Sequence, residues 1–342
     1  MNVLPILSRR LDVGGRTILA GVPHGFDAIV LADIARALGD RVLVHVTTDD
    51  QRMASLGEAL AFFAPDVATA WFPAWDCLPY DRVSPVADIV AGRLATLSGL
   101  ASHRPSPLIL LTTVNAALQR VPTREVIANA VFSASPGRRV DTEALITFLG
   151  ENGFSRTGTV VDPGDFAVRG GIIDIYPPGA ELPVRLDFFG DTLESVRSFD
   201  PLTQRSTGKL EEAALRPVSE VLLDDDAVRR FRSHYREQFG ATGTDDPLYE
   251  SVSAGRRYPG MEHWLPLYYE RLETLFDYLP GAGISLDYQA EEVRGHRLEA
   301  IGELHRDSFR QRDRLVAAES LPAGASAKRL TSSPGSPCRR PR

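Results

Sequence analysis

The stretch Val184-Arg185-Leu186-Asp187-Phe188-Phe189-Gly190-Asp191 constrains the fold more than any other part of this chain. Apolar and polar side chains alternate, the period of a strand with one buried face. Val184, Leu186 and Phe188 fall on one side, and Arg185, Asp187 and Phe189 on the other. Gly190-Asp191 is a two-residue turn signal, and Leu193-Glu194-Ser195-Val196-Arg197-Ser198-Phe199 continues as a return strand. Upstream, Gly164–Pro178 repeats the strand–turn–strand pattern around Gly170-Gly171. The block predicts an antiparallel sheet. Phe189, on the polar side, is either an anchor for a protein partner, since aromatics and arginines supply most interface hot spots, or a residue beneath a helix. The pattern leaves both open. Parity sets Arg185 and Phe189 away from the apolar face, so neither is expected to matter to folding.

The segments around this block differ in character. Residues 16–120 alternate strand-like and helix-like runs: Arg16–Ala20 and Val42–Val46 as strands, Ala28–Leu38 as a helix, Asp88–Leu100 as a helix and Leu108–Thr112 as a buried strand. That βαβ order predicts a parallel sheet covered on both faces. From about residue 123 to 216 one helix, Asp141–Asn152 with Asp141 as its N-cap, accompanies strands and tight turns, an α+β insert. Residues 217–319 read as mainly helical, with Asp224-Asp225-Asp226 at a helix start where the dipole favours negative charge. Val228, Phe231, Tyr235 and Phe239 follow at helical spacing, and Glu291–Ala318 is a charge-laced helix. Residues 320–342 are rich in Pro, Ser and Arg and are expected to be disordered.

Charge and cysteine usage narrow the function. The 342 residues carry a net charge of −7, yet the five basic residues from Lys328 onward face no acidic ones, so residues 1–327 carry −12. Such a body is a poor general binder of phosphate backbones, and any contact with DNA is expected to be weak or indirect. The two cysteines, Cys77 and Cys338, lack a neighbouring Cys/His cluster, which argues against a zinc module or a disulfide framework. The first ten residues do not read as a signal peptide and no run approaches a membrane span, so a cytoplasmic location and no membrane partner are expected.

Candidate chemistry fails on inspection. After the expected first strand comes Gly21-Val22-Pro23-His24-Gly25-Phe26-Asp27-Ala28, where a G-x-x-x-x-G-K-[ST] phosphate loop would sit. Aligned on Gly21, the second glycine is Phe26, the lysine is Asp27 and the hydroxyl residue is Ala28. Phe26 blocks the backbone wrap, Asp27 sets a like charge against a phosphate, and Ala28 offers nothing to magnesium. This is a degenerate P-loop, with no cofactor, metal or catalytic residue expected. Asp49-Asp50 and Asp224–Asp226 are better explained by turns and helix starts than by metal. His24 is the one histidine placed at a loop mouth. The aromatic and proline loop Phe72–Pro85 could stack nucleic-acid bases, but Arg82 is its only basic residue, and a structural loop capping the sheet fits better.

These residues carry a resemblance. The loop Trp75-Asp76-x-Leu78-Pro79-Tyr80-Asp81-x-x-Ser84-Pro85 with Asp88-Ile89 and Arg93-Leu94, the block Gly164–Pro177, and Arg185–Asp191 with Phe199-Asp200 and Gln204-Arg205 resemble the N-terminal part of the bacterial transcription-repair coupling factor family (Mfd). That part is itself similar to the excinuclease B subunit (UvrB), and the resemblance covers about residues 10–318. It implies an α/β, degenerate helicase-like parallel-sheet domain, split by an inserted α+β domain that docks on the excinuclease A subunit (UvrA). The division would be 1–122, 123–216 as the insert, 217–319 as the return and 320–342 as a tail. The connection from Tyr80 to Asp88 is too short for the long β-hairpin of the excinuclease B subunit. By motif, the family's UvrA-binding arginines and phenylalanine fall on Arg169, Arg185 and Phe189, with Gly170-Gly171 allowing a bulge or a close partner backbone. The implied function is a non-catalytic recruitment module of transcription-coupled nucleotide excision repair. The alternative is an excinuclease-B-like, DNA-dependent ATPase that binds damaged DNA. The family's RNA-polymerase contact and ATP-driven translocase are implied for further domains that this sequence does not contain.

Overall fold

The computed structural model describes residues 15–101, 105–240 and 246–319, with side chains described up to residue 306. The expectations for the first residues and for the 320–342 tail lie outside them. Its first layer is built from α1 (Phe26–Leu38), β1 (Leu43–Thr47), α2 (Asp50–Phe63), β2 (Ala68–Phe72), α3 (Ala87–Ala101), β3 (Leu108–Thr113) and the short α4 (Val114–Ala117). Then come α5 (Arg124–Asn129), β4 (Phe132–Ala134), α6 (Thr142–Glu151), β5 (Ser155–Arg156), β6 (Asp165–Arg169), β7 (Ile172–Ile175), β8 (Val184–Phe189), β9 (Thr192–Phe199), β10 (Ser206–Leu210) and β11 (Ala213–Leu215). The return comprises α7 (Asp225–Phe239), α8 (Pro247–Ser253), a 3-10 turn over Met261–Leu267, β12 (Gly283–Leu286) and the long α9 (Ala290–Glu319).

Four strands in the order β12-β1-β3-β2 make a parallel sheet. Period two splits its side chains between two cores. Leu43, Ile109 and Leu111 pack under α1 and α2, whereas Val44, Val46, Leu108 and Leu110 pack under α3 and the return segment. Both faces are covered, as a parallel sheet requires. The acidic pairs are helix caps: Asp49 accepts from the Arg52 amide at the start of α2, and Asp224 from the Ala227 amide at the start of α7. Gly283 admits α1, because a Cβ there would meet Leu38 Cδ1 at 2.7 Å.

One expectation is corrected. Arg16–Ala20 is not a strand: it pairs with no sheet among the described residues, and Ile18 is 77% exposed. The sheet's outer position next to β1 is taken instead by β12, from the far end of the chain, whose Gly283–Leu286 register on Leu43–Val46. Four residues with glycine first give too short a pattern to reveal that strand among helices. The α2–β2 pair leaves little trace in the sequence, since Ala68-Thr69-Ala70-Trp71 does not alternate apolar and polar.

The six-stranded sheet β10-β9-β8-β7-β6-β5 is antiparallel except for the β5–β6 edge. Its apolar face holds Phe166, Ile173, Ile175, Val184, Leu186, Leu193 and Val196, and α6 covers it with Leu145 and Leu149. Asp141 caps that helix, accepting from the Glu143 and Ala144 amides. The return segment forms its own aromatic core, with Phe231 stacked on Tyr268 at 4.9 Å between ring centres.

A buried strut ties these parts together. Arg93 of α3 and Glu220, just beyond β11, are both fully buried and paired at 2.5 Å. Arg93 also donates to the Pro73 carbonyl and to Gln119 Oε1, at 2.7 and 2.8 Å, and lies 4.1 Å above the Phe72 ring. Trp75 Nε1 donates to the same Glu220 carboxylate at 3.1 Å. The aromatic loop is therefore anchored inward, as a structural loop.

Candidate functional site

The outer face of β6–β9 is where the sequence placed its three candidate residues, and the structure brings them onto one surface. Asp174, opposite Arg185 in the β7–β8 register, is fully buried. Both oxygens of its carboxylate are taken by Arg185, Nε to Oδ1 at 2.7 Å and Nη2 to Oδ2 at 2.9 Å. Arg169, at the end of β6, pairs with the same carboxylate from the other side. Two cations on one buried anion leave a net positive charge for the surface. A second pair lies beside it, Arg197 to Asp187 at 3.3 Å, with the Ser195 hydroxyl donating to Asp187 at 2.6 Å.

Phe189 ends this row and is 77% exposed, so the two-layer alternative with a helix over it does not hold. Nothing else on the inserted sheet offers so large an exposed ring. The arginines differ from each other. Arg169 keeps 46% of its side chain in water, whereas Arg185 keeps 16%, packs 4.6 Å above the Phe199 ring and donates to the Gln204 carbonyl at 3.2 Å. Hydrogen bonds to Asp174 hold the Arg185 guanidinium above its ordinary value despite partial burial. The expectation that Arg185 is irrelevant to folding is thus corrected: it neutralises a buried carboxylate. Asp174 was missed in the sequence, where its one signal is a lone acid within the apolar run Ile172-Ile173-Asp174-Ile175.

Gly170 and Gly171 serve the sheet itself. Gly170 turns the β6–β7 hairpin at φ 59°, and a Cβ on Gly171 would sit 2.7 Å from the Phe188 carbonyl oxygen. Phe188 in turn donates its amide to the Gly171 carbonyl at 2.7 Å. The close approach is to β8 of the same chain. A register shift between Asp187 and Phe188 makes Glu194 the extra residue of β9, a bulge that increases local twist beside Phe189.

At the Gly21–Ala28 loop the chain's own charges pair with one another. Asp27, in the first turn of α1, accepts from the Ala28 amide at 2.9 Å and pairs with Arg52 of α2. Arg52 continues to Asp287 after β12 at 3.1 Å, and His45 Nδ1 lies 3.1 Å from the Ser285 hydroxyl. Burial pulls the Arg52 guanidinium down, but hydrogen bonds with Asp27 and Asp287 outweigh it and raise it. Burial likewise pushes the Asp287 carboxyl up, and His45 and Arg52 outweigh it and lower it. A helix N-terminus attracts anions, and here Asp27 already supplies one. Phe26 and His24 are exposed and Ala28 is buried. Among the described residues no group of three or more His, Cys, Asp or Glu is placed to hold a metal, and no helix is long and apolar enough to cross a membrane.

The antiparallel sheet thus presents a charged outer face and keeps its apolar inner face under one helix. Residues 132–220 match the family described as the UvrB interaction domain. Most of the chain is similar to the transcription-repair-coupling factors of Rickettsia bellii (34% identity over 244 residues, 71% of this chain and 22% of the relative), Haemophilus influenzae (32% over 282 residues, 82% and 24%) and Escherichia coli (32% over 292 residues, 85% and 25%). It belongs to the transcription-repair coupling factor family and corresponds to the N-terminal part of its members. The chain spans about a quarter of the length of the curated relatives it matches.

Proposed function

We propose that this chain is a non-catalytic recruitment module of transcription-coupled nucleotide excision repair, docking on the excinuclease A subunit (UvrA) through the outer face of β6–β9. The observation that carries the reading is Phe189, exposed at the end of the Arg169–Asp174–Arg185 cluster and within the stretch that matches the UvrB interaction domain. Arg169 and Phe189 make the contact, and Arg185 holds Asp174 so that Arg169 faces outward. The domain division follows: 1–122 and 217–319 form a split, degenerate helicase-like domain, and 123–216 is the insert. DNA contact is weak or indirect. RNA-polymerase contact and ATP-driven translocation belong to other segments of the full-length relatives. Titrating UvrA into the purified chain tests this. Saturable binding with fixed stoichiometry supports it, and no binding at tens of micromolar, roughly the weak end of specific association, overturns it.

The excinuclease-B-like ATPase reading predicts a vacant phosphate site. Asp27 locked to Arg52 speaks against it. A magnesium-ATP titration is expected to show no binding, and micromolar affinity lost on mutating Gly21–Ala28 would restore that reading.

A further inference from the structure

Where the Trp75–Tyr80 loop, α4, the 3-10 turn and α9 meet, the fold leaves a cavity of 180 Å³. Trp75, Tyr80, Leu118 and Ile301 give it apolar walls, and Arg120 and Arg297 give it a polar side. A cavity of roughly 150 Å³ accommodates a benzene ring, so this one has room for a ring and one small acid group. Arg297 Nε is buried and has no hydrogen-bond partner among the described residues. A guanidinium N–H left unmade in a buried position is costly, and native structures rarely leave one so. The other ionisable groups of the wall do not answer it. Glu262 accepts from the Ser84 hydroxyl at 2.7 Å on Oε2 and makes no hydrogen bond to Arg297 Nε. Burial pushes the Cys77 thiol up to about 11 and pulls His263 down, so near neutral pH neither carries charge. Arg120 and Arg297 bring two guanidiniums to the wall, while Glu262 on the wall and Asp76 and Asp81 beside it act on Cys77 and His263, so the unpaired Arg297 N–H rather than net charge marks where an acid would sit.

We infer that this cavity is a binding site for a small aromatic acid, a ring-sized apolar body bearing one carboxylate or phosphate, with the ring between Trp75, Tyr80, Leu118 and Ile301 and the acid on Arg297. The site is separate from the face that carries Phe189. It lies at the junction of the first layer, the return segment and α9, so an occupant would brace α9 against the body.

Ligand-observed saturation-transfer NMR on the full 342-residue chain tests the assignment, with benzoate, phenyl phosphate and neutral benzyl alcohol as probes. At least one acid is expected to bind saturably, and the tighter of the two identifies the acid group. Benzyl alcohol should bind about tenfold more weakly, the difference one charge-assisted hydrogen bond makes. Arg297→Ala should weaken the acid about tenfold and leave benzyl alcohol unchanged, a split that mere loosening of the fold would not produce. Ile301→Trp, which fills the cavity, should abolish binding of all three. Undiminished acid binding in Arg297→Ala, equal binding of the neutral probe, or no saturable binding of either acid overturns the inference.

Discussion

Arg185 and Phe189 share a strand and a face, yet their substitutions should report different physics. Arg185 satisfies a carboxylate with no exposed surface. Arg185→Ala is expected to destabilise the chain by about 2–3 kcal/mol, below the ~3–5 kcal/mol of a fully orphaned buried charge because Arg169 still reaches Asp174. A urea titration of the variant measures it. A loss under about 0.5 kcal/mol, the range of ordinary surface substitutions, would show that Asp174 is not held by Arg185. Alternation alone put the two residues on one side of the sheet. It could not show that one is spent on a buried acid, because that depends on the β7–β8 register, which pairs Asp174 with Arg185.

At the level of elements, strongly periodic stretches were legible and short ones were not. Val184–Phe189, Leu108–Thr113 and Phe26–Leu38 emerge close to their expected bounds because their apolar patterns are strong. Arg16–Ala20 has strand-forming residues but no sheet position to fill, and β12 fills the position beside β1 from more than 230 residues away. Only tertiary packing decides that exchange. Asp287 follows β12 and ties it to α1 and α2 through Arg52. Its carboxyl is lowered from an ordinary value of 3.8. A lowered acid contributes stability that is present above the unfolded value and is lost as pH falls through the folded one. The stability gap between the native chain and Asp287→Asn is therefore expected to be full above the ordinary carboxylate range and to close as pH falls below it. Paired denaturation curves across that range measure it, and a gap that widens in acid would contradict the assignment.

For the whole molecule, a buried ion pair stands among the contacts that join the parts. Arg93 on α3 reaches Glu220 at the exit of the insert, and Trp75 shares the carboxylate. Arg93→Ala leaves Glu220 buried without its cation and is expected to cost about 3–5 kcal/mol. Thermal melting of the variant should fall for the chain as one unit, and loss confined to the first layer would mean the strut does not couple the parts. Trp75 and Arg93 were visible as a family resemblance, but their meeting at Glu220 was not, since the partners lie 127 residues apart. Arg169, Arg185 and Phe189 of the proposed docking face, by contrast, could be set on one side of a sheet from the sequence, because they sit on adjacent strands of one local block. Phe189→Ala is the most direct test of that face. Titrated with UvrA, this variant is expected to bind about 1–3 kcal/mol more weakly than the native chain, the loss typical of an interface anchor, with an unchanged melting temperature. Native affinity in Phe189→Ala, or a loss of stability as large as the loss of binding, would contradict a docking surface built on that ring.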